Sequence, residues 1–148
     1  MSNDNWHPTT GAAAVIQDAE GRVLLVKHSY GPLNWELPGG GTEPDEFVVD
    51  TCVREVKEET DLDVSATGIT GVYYEGDKGF LHFVFRCQII GETASPKPDR
   101  QEVTECGWWF VHALPRPISD FTQRRIVDAT SRDSGWLPQR VGPRQWLD

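Results

Sequence analysis

Two hydrophobic periods alternate along the chain. Gly11 to Ile16 holds the unbroken apolar run Ala12-Ala13-Ala14-Val15-Ile16, and Arg22 to His28 forms a second short run. The turn signal Asp18-Ala19-Glu20-Gly21 lies between them, so both read as strands. Ser29 to Asn34 is a loop with Gly31-Pro32, followed by Trp35-Glu36-Leu37-Pro38-Gly39-Gly40-Gly41. The period then changes. Val49, Cys52, Val53, Val56 and Thr60 recur at helical spacing, and Pro44 suits a first helical turn, which predicts a helix from Pro44 to about Thr60. Ile69 to Tyr74 and Phe80 to Ile90 read as strands. In the second, Leu81, Phe83, Phe85 and Cys87 share one face, while Phe80, His82, Val84 and Arg86 share the other. Val103 to Val111 is a further strand, and Ser119 to Ser131 a second helix. Gly135 to Asp148, with two prolines and two glycines, reads as irregular, with Trp136 and Trp146 as anchors. This order predicts a mixed α/β (α+β) fold, a sheet sandwiched between helices.

Length and charge narrow the function. A chain of 148 residues suits one domain, here 1–148 with an irregular tail from about 132. With 14 Lys and Arg against 23 Asp and Glu, the net charge is −9, which argues against gripping a nucleic-acid backbone. No apolar run approaches the ~20 residues of a membrane helix, and the start shows no basic-then-apolar leader. Cys52, Cys87 and Cys106 lack Cys-x-x-Cys spacing and read as small buried hydrophobes in a reducing cytoplasm.

The acidity is concentrated. Residues 40–62 carry eight acids against Arg54 and Lys57. On the predicted helix Glu55, Glu58 and Glu59 stand at i, i+3 and i+4, within an arc of about 100°. Like charges so placed repel by a few tenths of a kcal/mol per pair, roughly. A hard divalent cation with oxygen ligands would remove that repulsion. Three glutamates alone would more often make a solvated acidic face.

Their context favours the cation. Gly40, five residues, Glu46, seven residues, then Arg54-Glu55-Val56-Lys57-Glu58-Glu59-Thr60-Asp61-Leu62 resembles the Nudix box. Asp61 stands where that family has its last glycine. The lead-in Trp35 to Gly40, and Glu102 followed six residues later by Trp108, also resemble the family, so the likeness extends from about Gly11 to Leu114.

The resemblance implies that Glu58 and Glu59 bind Mg²⁺ or Mn²⁺, with Glu55 a further ligand or the base that activates water. Gly39 in the glycine-rich loop would lend its backbone, and Glu102 another carboxylate. Arg54 and Glu46 would orient the glutamates. Gly40 and Gly41 would let phosphates approach, and Lys27 and His28, ending the second strand, match a position of basic phosphate contacts. Tyr30, Trp35, Trp108, Tyr73 and Tyr74 are aromatics for stacking on a base or for core packing, and His82 with Arg86 either meets phosphate or faces solvent.

The implied reaction is hydrolysis of a pyrophosphate linkage in a nucleoside diphosphate joined to another moiety. Lys78 stands where many ADP-ribose hydrolases of the family carry proline, which favours a nucleoside triphosphate or small nucleotide conjugate over ADP-ribose or a nucleotide sugar. A non-catalytic nucleotide-sensing module is the rival class; it would be expected to lose box carboxylates, and Glu46, Glu55, Glu58 and Glu59 are all present. The expected partner is a small nucleotide, without nucleic acid or membrane, on a monomer or a homodimer.

Overall fold

The computed structural model describes residues 9–91, 95–131 and 138–148. Its strands are β1 (Thr9–Ile16), β2 (Val23–His28), β3 (Trp35–Glu36), β4 (Gly39–Gly41), β5 (Val64–Glu75), β6 (Phe80–Ile89), β7 (Val103–Trp109), β8 (Ile118–Ser119), β9 (Gln139–Val141) and β10 (Trp146–Leu147). The helices are α1 (Val48–Thr60) and α2 (Asp120–Thr130). The expected mixed α/β architecture is present, its strands arranged as two mixed sheets of five, ordered β4-β1-β6-β5-β9 and β10-β8-β3-β2-β7.

The all-apolar run of β1 follows from its position. Ala12, Ala14 and Ile16 pack with Cys52 and Val56 of α1, while Ala13 and Val15 turn toward Tyr73, Leu25 and the residues of α2. A strand buried on both faces has no polar alternation to show. β6, parallel to β1, divides as its sequence predicts: Phe83, Phe85 and Cys87 join the α1 side, and Val84 the other. Cys52 and Cys87 are buried with their sulfurs 3.7 Å apart, and Cys106 is half-buried.

Beyond shifts of one or two residues in β1, β2 and β6, four departures from the sequence reading stand out. First, α1 starts at Val48 and not at Pro44. Phe47 is extended (φ −71°, ψ 137°) and Asp45 is left-handed (φ 61°). The carboxylate of Glu46 accepts from Arg54, Thr51 Oγ1 and the Glu43 N–H, which folds residues 43–46 into a turn before the helix. Second, β5 begins at Val64, five residues before Ile69, because register shifts near Gly68 and Gly71 break its alternation. Third, β7 stops at Trp109 and Val111–Ala113 is a 3₁₀ turn. Fourth, where an irregular tail is expected, residues 138–148 add β9 to one sheet and β10 to the other. Trp146 lies in β10; Trp136 lies outside the described residues. α2 lies one residue inside its predicted limits at each end, with Ser119 Oγ accepting from the Thr122 N–H at 3.0 Å as its N-cap. No described helix is long and apolar enough to cross a membrane.

Candidate active site

Helical spacing sets the acidic face of α1, and Arg54 organises it. Its Nε donates to Glu46 Oε2 at 2.8 Å and its Nη2 to Glu46 Oε1 at 3.0 Å. Nη1 reaches Glu55 at 2.9 Å and both oxygens of Glu58 at 3.2 Å, and Nη2 also donates to the Gly41 carbonyl at 3.0 Å. One guanidinium thus joins the turn, the helix and the glycine-rich strand β4, a task suited to its fixed fork of donors. Its hydrogen bonds, with that of Thr51, pull Glu46 down to about 2.

Glu59 is in the opposite situation. It is 4% exposed, and its Oε2 accepts the Gly39 N–H at 3.1 Å. Burial, reinforced by the charge of Glu55, pushes its carboxyl up to about 9. Burial also raises Glu55, which shares the Arg54 guanidinium with Glu58 and Glu46. Glu102 is exposed, and its charge adds to the upward shifts of Glu55 and Glu59 that burial dominates.

Desolvated, mutually repelling carboxylates beside a backbone that leaves them room form a donor set suited to a hard divalent cation. As the side chains stand, Arg54 bridges Glu46, Glu55 and Glu58, and among the described residues no three His, Cys, Asp or Glu side chains enclose a metal position.

A cleft of about 430 Å³ opens beside β4. Of the expected substrate contacts, His28, Gly40 and Gly41 line it, as does Gly39. Lys27 is not on its wall; its Nζ lies 3.9 Å from Glu105 Oε2. Trp108 is not on the wall either and packs against the cluster containing Cys52 and Val56. Tyr30 lines the cleft and stacks on His28 with ring centroids 4.7 Å apart, whereas Tyr73 and Trp35 are core residues. His82 and Arg86 part company. His82 lines the cleft, and Arg86 donates to the Ala129 carbonyl of α2.

The far wall carries residues not singled out from the sequence: Glu36, Glu75 and Arg144. Glu75 is fully buried, and burial alone would raise it; hydrogen bonds from Arg144 and His82 outweigh this and hold it at about 2. Glu36 is likewise buried, and Arg125 and Arg144 hold it below the usual carboxylate range. An acid between Trp35 and Leu37 is the one sequence signal for such a buried pair; nothing in the tail sequence points to Arg144.

Fold and site define a class, the hydrolases of phosphoric anhydrides on a mixed α/β scaffold. Residues 7–130 match the NUDIX domain, and the chain belongs to the Nudix family of hydrolases, whose enzymes generally use divalent metals. It is 32% identical over 138 residues to a putative 8-oxo-dGTP diphosphatase of Bacillus subtilis, covering 87% of this chain and 91% of that one. It is 31% identical over 102 residues to an ADP-ribose pyrophosphatase of Methanocaldococcus jannaschii, covering 65% and 60%. The crystal structure of an ADP-ribose pyrophosphatase from Streptococcus suis superposes with a TM-score of 0.72 at 25% identity, covering 91% of this chain and all of that one.

Proposed function

We propose that this protein hydrolyses the pyrophosphate linkage of a nucleoside diphosphate bearing a further group, with Mg²⁺ or Mn²⁺ as cofactor and nucleoside triphosphates or small nucleotide conjugates as substrates. The observation that carries this reading is the arrangement around Arg54: Glu46, Glu55 and Glu58 on one guanidinium, with Glu59 buried against the Gly39 N–H. Glu58 and Glu59 would hold the metal, with the Gly39 carbonyl and Glu102 as further donors and Glu55 either a further ligand or the base. Bound there, the metal would neutralise phosphate charge and lower the pKa of an attacking water.

The chain's own groups do the rest. Arg54 orients the glutamates, and Glu46, kept ionised, holds Arg54 in place. Glu55, raised by burial, is the candidate to take the proton of the attacking water. Gly40 and Gly41 let phosphate oxygens approach the backbone, and His28 stands beside them. Free, buried Cys52 and Cys87 support a reducing, cytoplasmic setting.

ADP-ribose or nucleotide-sugar hydrolysis is the second reading, favoured by the M. jannaschii and S. suis relatives. One screen separates the two: nucleoside triphosphates, ADP-ribose and nucleotide sugars, each with Mg²⁺ and Mn²⁺, followed by phosphate and pyrophosphate release. Turnover of the triphosphates is expected. Failure of every substrate with both metals would return the chain to a nucleotide-sensing role.

A further inference from the structure

The NUDIX match ends at residue 130, yet the cleft does not. Arg144 and Trp146, both beyond it, stand on the cleft wall. β9 runs beside β5 with Val141 paired to Glu75, and β10 pairs with β8. Between them the chain passes so close to Glu75 and Asp77 that a Cβ on Gly142, at φ 89°, would collide with the Asp77 carboxylate. The segment carrying Arg144 is therefore fastened on both sides.

Arg144 spans the two sheets. Its Nε donates to Glu75 Oε2 at 2.9 Å and Nη2 to Glu75 Oε1 at 3.2 Å, while Nη1 lies 3.6 Å from Glu36 Oε2. Glu75 ends β5 of one sheet and Glu36 belongs to β3 of the other. We propose that Arg144 is a positioning residue that builds the nucleoside end of the substrate cleft, and that this end takes a planar heterocyclic base. The inference rests on the nucleotide reading above.

Two observations assign the base to this end. The first is distance. Across the sheet Gly41 pairs with Gly11, Gly11 with His82, and Phe80 with Glu75. Three strand spacings of ~4.8 Å put β5 ~14 Å from the glycine-rich strand. A pyrophosphate at Gly40 would not reach it, so this wall meets whatever the pyrophosphate carries.

The second is chemistry. The Arg144 charge is spent on two buried carboxylates and offers little to a further phosphate. Besides Lys78, whose Nζ lies 3.5 Å from Glu75 Oε2, the wall is aromatic and mixed in polarity: the Phe80 and His82 rings stand 4.3 Å apart between centroids, tilted by 36°, and Trp146 also lines the cleft. His82 Nε2 is 2.9 Å from Glu75 Oε1. An ionised carboxylate only accepts, so Nε2 carries the proton and Nδ1 remains an acceptor. Aromatic faces with few, fixed polar groups are what a base requires.

The test uses the full chain and compares nucleoside 5′-monophosphates (AMP, GMP, CMP, UMP) with ribose 5-phosphate, which lacks only the base, by calorimetry without metal. Wild type should bind at least one nucleotide about tenfold more tightly than ribose 5-phosphate. Arg144→Met should lose that preference while ribose 5-phosphate binding stays unchanged, an outcome that mere destabilisation would not give. In turnover, KM should rise about tenfold with kcat within about twofold. If Arg144→Met does not fold, Arg144→Lys, which keeps the charge but not the fork to Glu75, takes its place. A wild type blind to the base, or a preference surviving in the variants, overturns the proposal. Base preference without any turnover would overturn the hydrolase reading and leave this one standing.

Discussion

Gly40 leaves the Glu55 carboxylate its place: a Cβ added to Gly40 would lie 2.5 Å from Glu55 Cδ and 2.6 Å from Oε1. The obstructed atoms are the end of a flexible side chain, so Gly40→Ala should fold normally and displace Glu55. Misplacing a group at the reaction centre by an ångström can cost about a hundredfold in rate. Turnover of Gly40→Ala is therefore expected to fall by about that factor with the melting temperature nearly unchanged. Wild-type turnover would contradict the role given to Glu55.

Glu59→Gln and Glu58→Gln separate charge from shape. A glutamine at 59 still accepts from the Gly39 N–H, and it replaces a carboxyl that burial, with the charge of Glu55, already holds mostly protonated in the absence of metal. Without added metal its melting temperature should equal or exceed that of wild type. Turnover should nearly vanish in both variants, since loss of a metal ligand removes several kcal/mol, roughly, of transition-state stabilisation. Glu102→Gln, on an exposed position, should lose less. Near-normal kinetics at limiting Mg²⁺ in either helix variant would remove the metal assignment.

The parts of this molecule governed by local spacing were legible in the sequence. The valine and cysteine stripe of α1, the two faces of β6 and the position of α2 follow from residues a few positions apart. Arg54, Glu46 and the three glutamates lie within one short segment, and the structure gathers them there. What escaped is set by distant partners. The first five residues of β5 hid behind two register shifts, and the start of α1 yielded to hydrogen bonds on the Glu46 carboxylate. Glu36, Glu75 and Arg144 meet only when three remote segments fold together, and no periodicity records that. Lys27 is the reverse case. It sits beside His28 in sequence, but strand alternation turns it toward Glu105.

His82 should make stability depend on pH. Burial, aided by Arg125 and Arg144, lowers its pKa from 6.5 to about 4, with Glu75 opposing the shift. Between these values the unfolded chain binds the proton and the folded chain does not. Stability from this group is therefore complete above about 6.5 and is lost as pH falls toward 4. Denaturant midpoints for wild type and His82→Gln, compared between neutral and mildly acidic pH, provide the check. Wild type should lose more stability on acidification, and equal losses would refute the assignment.

Asp61 ends α1 where the family has glycine, and it adopts the left-handed conformation that glycine enters freely, at φ 63° and ψ 14°. Its N–H donates to the Lys57 carbonyl at 3.0 Å, closing the helix. For an ordinary L-residue this conformation costs about 1–2 kcal/mol, and less for aspartate. Its charge also lies at the negative end of the helix dipole. Lys57 Nζ, 3.5 Å from Asp61 Oδ1 and 3.4 Å from Asp63, offsets part of that penalty, but both groups are exposed and the pair contributes little. Glycine in turn gives the unfolded chain more entropy, worth about 0.4–1 kcal/mol against the variant. The remainder favours Asp61→Gly by about 0.5 kcal/mol, a rise of roughly 1–2 °C in melting temperature for a chain of this size. Turnover at saturating metal should change less than about twofold, because the Asp61 carboxylate pairs with Lys57 and takes no part in the hydrogen bonds that join Arg54 to Glu46, Glu55 and Glu58. A lower melting temperature would show that the left-handed turn is not strained by aspartate. Loss of activity with α1 intact would give Asp61 a role at the site.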